Sequence, residues 1–431
     1  MVRSLEIRVK RLVIRALRWG LRRYAAARPR QADAEGADRR VFILLVSAWG
    51  MGGTIRAALN MAGHLAEAGY EVEILSGFRR REAASMGELP AGVKVTALDD
   101  QRPSAQPRGP ARLLRTLLRA RDSVLTHSRD ARADELSLWS DLQLVRHLRR
   151  RRGFLVSTRP SFNLMAAQLP FPGLLTVGLE QMHLHTHSRP LRKAMTRNYG
   201  KLDALAVLTE RDLAAYSEML DGRAPRLVRI PNTVRAIAGP KADMDAKVLM
   251  AAGRLTRQKG FDLLIPAFAP VAAAHPDWEL RIFGRGKDKA ELEGLIAEHG
   301  LGGVVKLLPA SDDLPGEMAR ASIYVLSSRF EGFPLVLVEA MSKGMGIVSF
   351  DCPTGPADII SDHRNGIIVP AQDTAALSAG MIEMIADDDL RRRCGAAAVE
   401  TAKDYTMAAI GPRWEGLLQE LWADRRAAAG A

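Results

Sequence analysis

Apolar and polar positions along the chain alternate between a strand-like and a helix-like period, and the alternation lays out the fold. Val41–Ala48 (VFILLVSA) is an unbroken apolar, β-branched run, the pattern of a strand covered on both faces. It gives way at Trp49-Gly50-Met51-Gly52-Gly53 to the helical spacing of Thr54–Ala68, after which Gly69 stops the helix and Tyr70–Leu75 reads as a second strand. Further strands are predicted at Val93–Leu98, Phe154–Ser157, Leu174–Gly178, Ala204–Leu208 and Leu227–Ile230, with helices such as Arg112–Arg121 and Asp134–Leu148 between them. Pro231-Asn232-Thr233 and the polar stretch Gly239–Asp245 interrupt this series. A second begins at strand Val248–Ala252. It continues through helix Phe261–Ala274, strand Leu280–Phe283, helix Lys289–His299, strands Val304–Leu308 and Ile323–Ser327, helix Leu335–Ser342 and strand Ile347–Asp351.

Two βα series predict an α/β protein with two domains and a ligand cleft between them. The predicted boundaries are 1–40 for a basic helix and linker, 41–235 and 246–395 for the two α/β domains, and 396–431 for a C-terminal helix that crosses back to the first domain. Length and composition agree with this reading. At 431 residues, 47% hydrophobic and 26% charged, the chain can build large cores, which excludes disordered, collagen-like and solenoid classes for the whole. Two cysteines, Cys352 and Cys394, with no CxxC pair offer neither a disulfide framework nor a structural zinc site, and suit a reducing cytoplasm.

Charge changes the picture at one end only. Residues 1–30 carry ten basic side chains against the single acid Glu6, a surplus of nine out of the total +13, which leaves +4 for the other 401 residues. The body is near neutral, so the overall pI does not indicate nucleic-acid binding, and none is expected. In the arm, Arg8, Arg11, Arg15, Arg18 and Arg22 fall on one helical face, and Leu5, Val9, Val13, Ala16, Leu17, Leu21 and Tyr24 on the other. No run of 18 apolar residues occurs. A basic amphipathic helix of this kind suits the headgroup layer of an anionic membrane, with a solvated or domain-packed helix as the alternative, and places the protein at the inner face of the cell membrane. Residues 27–40 read as its linker.

Candidate chemistry concentrates in the second series. Gly253 stands at a strand end, followed by Arg254 and Lys259 before a helix, an arrangement suited to a diphosphate. Glu331 falls in the loop after strand Ile323–Ser327, Gly332-Phe333-Pro334 opens the next helix at Leu335, and Glu339 lies in its first turns, eight residues after Glu331. Singly, Glu339 reads as readily as a solvated helix residue and Arg254 as a surface cation. In the first series, Gly52-Gly53 reads either as backbone approaching a ligand or as a tight turn, because the loop is neither GxGxxG nor a Walker A sequence. The histidines His183, His185 and His187 alternate along the chain with no carboxylate or cysteine to complete a metal set, so no metal is expected.

Together these segments resemble the retaining glycosyltransferases of family 4, with the GT-B fold of two Rossmann-like domains and a Glu-x7-Glu pair. The pair is Glu331 and Glu339 within EGFPLVLVE, supported by GRLTRQKGFD (253–262), by ELRIFGRG (279–286) with Gly284, and by Pro353–Asp358 with Asn365-Gly366. The resemblance implies an acceptor-binding first domain and a second domain that binds a nucleotide-sugar donor. It implies that Arg254 and Lys259 hold the donor diphosphate, that Glu331 contacts the transferred sugar and that Glu339 contacts the ribose. Gly52, Gly53, Gly253, Gly284, Gly332, Phe333, Pro334 and Leu335 would line the donor site. The likeness is to enzymes of cell-wall and capsular polymers, which implies hexosyl transfer from a UDP-sugar to a lipid-linked or envelope-polysaccharide acceptor. In that subgroup a Glu-His-Met segment is expected where this chain has Glu180-Gln181-Met182, and His183 or His185 is the candidate substitute. Lys343 and Gly346 also depart from the family, which has cysteine and proline there.

With no Asp-x-Asp metal site expected, Arg254, Lys259 and the helix start near Gly332 must stabilise the leaving diphosphate, so neither metal nor other cofactor is expected. A GT-B sugar-nucleotide epimerase and a non-catalytic nucleotide-sugar-binding protein are the alternatives.

Overall fold

The structure, a computed structural model, describes residues 2–29, 31, 34–50, 52–82, 89–105, 108–223, 225–234 and 237–430, with side chains from residue 12 onward. The chain divides into two compact units, one comprising 2–207, 213–230 and 411–430, the other 208–212 and 231–410.

The first unit holds seven parallel strands: β1 (Arg40–Leu45), β2 (Glu71–Ser76), β3 (Lys94–Ala97), β4 (Gly153–Ser157), β5 (Leu174–Leu179), β6 (Ala204–Val207) and β7 (Arg226–Arg229), in the order β3-β2-β1-β4-β5-β6-β7. The apolar runs form strands because helices cover both faces. Val41 pairs with Val72 on one side and Phe154 on the other, and β4 and β5 are buried throughout. The predicted first strand is shortened: after Leu45 the chain stays buried but leaves the ladder, and the Ala48 amide donates to the Ser76 hydroxyl at 3.0 Å.

The second unit holds six parallel strands: β8 (Val248–Ala252), β9 (Glu279–Phe283), β10 (Val305–Leu308), β11 (Ile323–Leu326), β12 (Gly346–Asp351) and β13 (Ile367–Pro370), in the order β10-β9-β8-β11-β12-β13. Strand order reverses between β1 and β4 in one sheet and between β8 and β11 in the other. In open α/β sheets, ligands bind outside the carboxyl ends of the strands that flank such a reversal.

Both ends of the chain lie on the first unit. In the last helix, Met407–Gly430, Glu415 pairs with His64 at 2.9 Å, Trp422 packs on Phe154 with ring centroids 5.7 Å apart, and Asp424 pairs with Arg226 at 2.8 Å. The N-terminal helix spans Val2–Ala25. Its apolar face is divided: Leu21 is buried and Leu17 and Tyr24 half-buried in the core of this unit, whereas Leu12, Val13 and Trp19 are exposed. Arg149 stacks on the Tyr24 ring at 4.0 Å, and Arg18 donates to the carbonyl of Val124. Arg3, Arg8, Lys10 and Arg11, Leu5 and Val9 have side chains outside the described set, as do Arg30, Ala32 and Asp33 of the linker altogether.

Candidate donor-binding site

Two loops leave the carboxyl ends of β8 and β11, where the second sheet reverses its strand order, and they carry the charged residues of the Gly253–Phe261 and Ser328–Leu335 segments. The first rises from Ala252 through Gly253, Arg254 and a short 3-10 turn, Arg257–Lys259, into helix Phe261–Ala274. Two glycines make its path possible. A Cβ on Gly253 would stand 3.0–3.1 Å from three carbons of the Lys259 stem, so the glycine lets that side chain lie across the backbone. Gly260 has φ +66°, and a Cβ there would meet the Ser327 carbonyl oxygen at 2.0 Å.

The outcome is an ion pair. Lys259 Nζ donates to Glu331 Oε1 at 2.6 Å, and the Ser328 hydroxyl donates to the same oxygen at 2.6 Å. The backbone fixes the carboxylate in turn: Glu331 N–H donates to the Pro353 carbonyl (2.8 Å), and Thr354 N–H donates to the Glu331 carbonyl (3.1 Å). The described bonds to the carboxylate both end on Oε1, which leaves Oε2 to accept a ligand hydroxyl.

Arg254 is exposed, and one guanidinium nitrogen donates to Gln258 Oε1 at 3.1 Å. Gln258 Nε2 donates to the Phe330 carbonyl at 3.1 Å, so one amide ties the Arg254 loop to the Glu331 loop. Arg329 adds a two-pronged bond to Asp262, 2.7 Å on each oxygen, at the start of the helix that follows Gly260. Gly332, Phe333, Pro334 and Leu335 are buried, with Phe333 stacked at 5.4 Å on Tyr405 and Pro334 at the mouth of helix Leu335–Lys343. Glu339 is half-buried on that helix. Burial pushes the nearby Tyr324 phenol pKa above its ordinary value, against the bond it donates to the Ala252 carbonyl, and the charges of Glu331 and Glu339 add to the rise. Gly284 follows β9, its N–H donating to Leu308 at 3.0 Å.

The structure thus gathers Gly253, Arg254, Lys259, Gly284, Glu331–Leu335 and Glu339 around one sheet reversal. Ser328, Gln258 and the Arg329–Asp262 clamp belong to the same cluster and escaped the sequence reading. Isolated polar residues give no periodic signal, although all four flank the motif residues.

Gly52, Gly53 and His183 belong to the first unit. Gly52 caps helix Gly53–Glu67 beyond β1, its carbonyl accepting from Arg56 N–H at 3.0 Å, while Met51 lies outside the described residues. His183 follows β5, half-buried, with its ring 5.0 Å from that of exposed His185. Three residues before His183, Glu180 is buried: its Oε1 accepts from Asn163 at 2.7 Å and from the Tyr199 hydroxyl, and its Oε2 lies 3.5 Å from His187 Nε2. Among the described residues, no group of three or more His, Cys, Asp or Glu side chains is placed to hold a metal ion.

The departures at Lys343 and Gly346 have structural counterparts. Lys343 is buried and its ammonium donates to the carbonyls of Ala238 (2.8 Å) and Pro240 (3.0 Å), pinning the segment that precedes β8. Gly346 opens β12 with an N–H bonded to the Ser322 carbonyl at 2.9 Å, a bond that proline could not make.

Comparison with solved structures identifies the architecture as GT-B. Staphylococcus aureus TarM superimposes with a TM-score of 0.71 at 15% identity, covering 88% of this chain and 99% of TarM. Anabaena HepE, solved with UDP and glucose, superimposes with a TM-score of 0.68 at 16% identity, covering 89% and 100%. Residues 235–401, the segment that carries the ion pair, are similar to the glycosyl transferases group 1 family. An exopolysaccharide phosphotransferase of Streptomyces coelicolor is 33% identical over 89% of this chain. The chain spans 41% of that protein's length. The amylovoran biosynthesis glycosyltransferase AmsD of Erwinia amylovora is 25% identical over 88% of this chain and 99% of its own.

Proposed function

We propose that the protein is a retaining, metal-independent hexosyltransferase that moves a sugar from a nucleoside diphosphate sugar, with UDP the favoured carrier, to a hydroxyl of a lipid-linked or envelope-polysaccharide acceptor. The observation that carries this reading is the Lys259–Glu331 pair with Arg254 beside it at the β8/β11 reversal, which sets two cations and one directed carboxylate within a single pair of loops. The name of AmsD, an amylovoran biosynthesis glycosyltransferase, supports the acceptor class, and HepE, solved with UDP and glucose, supports the donor class.

In the reaction, the bond from the anomeric carbon to the β-phosphate oxygen breaks as the acceptor oxygen bonds to the same face of that carbon. The acceptor proton passes to the departing phosphate oxygen. Negative charge grows on the diphosphate, where Arg254 and Lys259 stabilise it, while Glu331 Oε2 accepts sugar hydroxyls and Glu339 a ribose hydroxyl. Lys259 is already oriented by Glu331, so little rearrangement accompanies charge development. Residues 1–30 place the enzyme on the inner face of the anionic membrane, and no described helix is long and apolar enough to cross one.

The test is product analysis with labelled nucleotide sugars and a polyprenyl-linked glycan acceptor. Sugar transfer releases UDP. The likeness to an exopolysaccharide phosphotransferase supports a second reading, transfer of sugar phosphate, which would release UMP instead. An epimerase would return a new sugar with no acceptor consumed. Release of UDP in step with a glycosylated product upholds the proposal, and either other result overturns it.

A further inference from the structure

Helix Pro110–Arg119 has its polarity reversed. Leu113, Leu114 and Leu117, on one face, are 65%, 50% and 58% exposed, whereas Arg115 is turned inward and is 4% exposed. The reversal is held by a buried acid. Arg115 donates to Asp99 Oδ1 from Nε (3.1 Å) and Nη2 (2.8 Å), and Arg119 Nε pairs with Asp99 Oδ2 at 3.0 Å. Gln101 donates to the same Oδ2 at 2.8 Å, and Arg115 also donates to the Asp100 carbonyl. Rolling the helix to hide its leucines would strand the Asp99 carboxylate, itself buried, without cations, a costly state that fixes the outward orientation.

The exposed large hydrophobic side chains among the described residues are these three leucines together with Leu12, Val13 and Trp19 of the N-terminal helix. Both helices pack on the same helix, Leu138–Leu148. Around the leucines, Arg108, Arg112, Arg119 and Arg121 are exposed, and residues 108–121 contain no acid. Arg15 and Arg22 are exposed on the N-terminal helix, and Arg23 stacks on Trp19 at 4.9 Å.

We propose that helix Pro110–Arg119 is a second membrane-contact element, inserting Leu113, Leu114 and Leu117 into an anionic lipid surface beside the N-terminal helix. This deepens the membrane part of the proposed function and rests on it. Apolar side chains ringed by arginine match an interface that is anionic at the headgroups and apolar beneath them. A second copy of the chain would bring the same arginine-rich surround to the contact, which disfavours self-association as the cover for these leucines.

The experiment is flotation of the full-length protein with phosphatidylcholine vesicles, with and without phosphatidylglycerol, at low and high salt. The variants are a triple Leu113→Ser, Leu114→Ser, Leu117→Ser chain and a triple Leu12→Ser, Val13→Ser, Trp19→Ser chain, with melting temperature confirming the fold and light scattering the mass. Wild type should bind anionic vesicles in preference to neutral ones, and each triple variant should lose about tenfold or more, since insertion scales with buried apolar area. If the Leu113 triple binds like wild type while the Trp19 triple does not, this inference fails and attachment through residues 1–30 stands. If wild type ignores anionic vesicles, both membrane statements fail, whereas the transferase reading is decided separately by UDP release. A wild-type dimer that the Leu113 triple converts to monomer, with vesicle binding unchanged, would assign the face to a second copy and overturn the inference.

Discussion

Lys259 and Glu331, 72 residues apart in sequence, meet at 2.6 Å because two loops rise side by side from adjacent strands β8 and β11. The pair does two things at once. It holds the ammonium group in one place, and it fixes the carboxylate through one of its two oxygens. Each partner is largely withdrawn from water, with Lys259 14% and Glu331 8% exposed, so neither is a freely moving surface charge.

Glu331→Gln and Arg254→Ala should each lower turnover at saturating donor by about 30- to 1,000-fold, the equivalent of about 2–4 kcal/mol of transition-state stabilisation. Circular dichroism should be unchanged, because both side chains lie on loops. Lys259→Ala combined with Glu331→Gln should lose less than the sum of the single losses, since the two share one hydrogen bond. Strict additivity in steady-state UDP release would show that the pair does not act as a unit.

The sheets and this pair of loops were legible in the sequence because they rest on local signals: β-branched runs that are buried on both faces, glycines at strand ends, and spaced charges. Strand β13 was missed: Ile367–Pro370 is a short strand that ends in proline, a residue that argues against a strand. The helix near Arg112–Arg121 was found, but a helical stretch does not by itself say which of its faces points inward. Asp99, which turns Arg115 inward, comes from a separate loop, and no local pattern reports such a partner. The same holds for Lys343, whose carbonyl acceptors at Ala238 and Pro240 lie more than a hundred residues away in sequence. Glu180, three residues before His183, is held by Asn163 and Tyr199 from neighbouring elements, partners that no local pattern reports either.

Sugar transfer should persist in excess EDTA. Arg254 and Lys259 supply two fixed positive charges at the site, enough to take over the part a divalent ion plays on a leaving diphosphate. The check is initial rate with and without chelator, followed by addition of manganese or magnesium. Abolished activity that either ion restores would refute metal independence.

Lys343→Met should destabilise the second unit by about 1–3 kcal/mol, because the carbonyls of Ala238 and Pro240 lose their buried donor. The replacement keeps most of the side-chain volume, so the effect reports the hydrogen bonds and not a cavity. Chemical denaturation read by intrinsic fluorescence measures it. An unchanged unfolding midpoint would mean that water replaces the ammonium at no cost.

The acid limb of stability should depend on Glu73 in β2. Burial alone would raise the pKa of this carboxyl, but hydrogen bonds from His147 and Thr96 and the charges of His147 and Lys94 outweigh it and hold the value down at about 2. A carboxyl whose folded pKa lies below its unfolded value of 4.5 stabilises the native state fully above 4.5 and loses that contribution as pH falls through about 2, because the unfolded chain takes up the proton first. Wild type should therefore melt above Glu73→Gln at neutral pH, with the gap closing between about pH 4.5 and about pH 2. Melting temperatures of both proteins across that range make the test, and a gap that stayed constant would show that the Glu73 charge has no part in holding β2 to helix Leu138–Leu148.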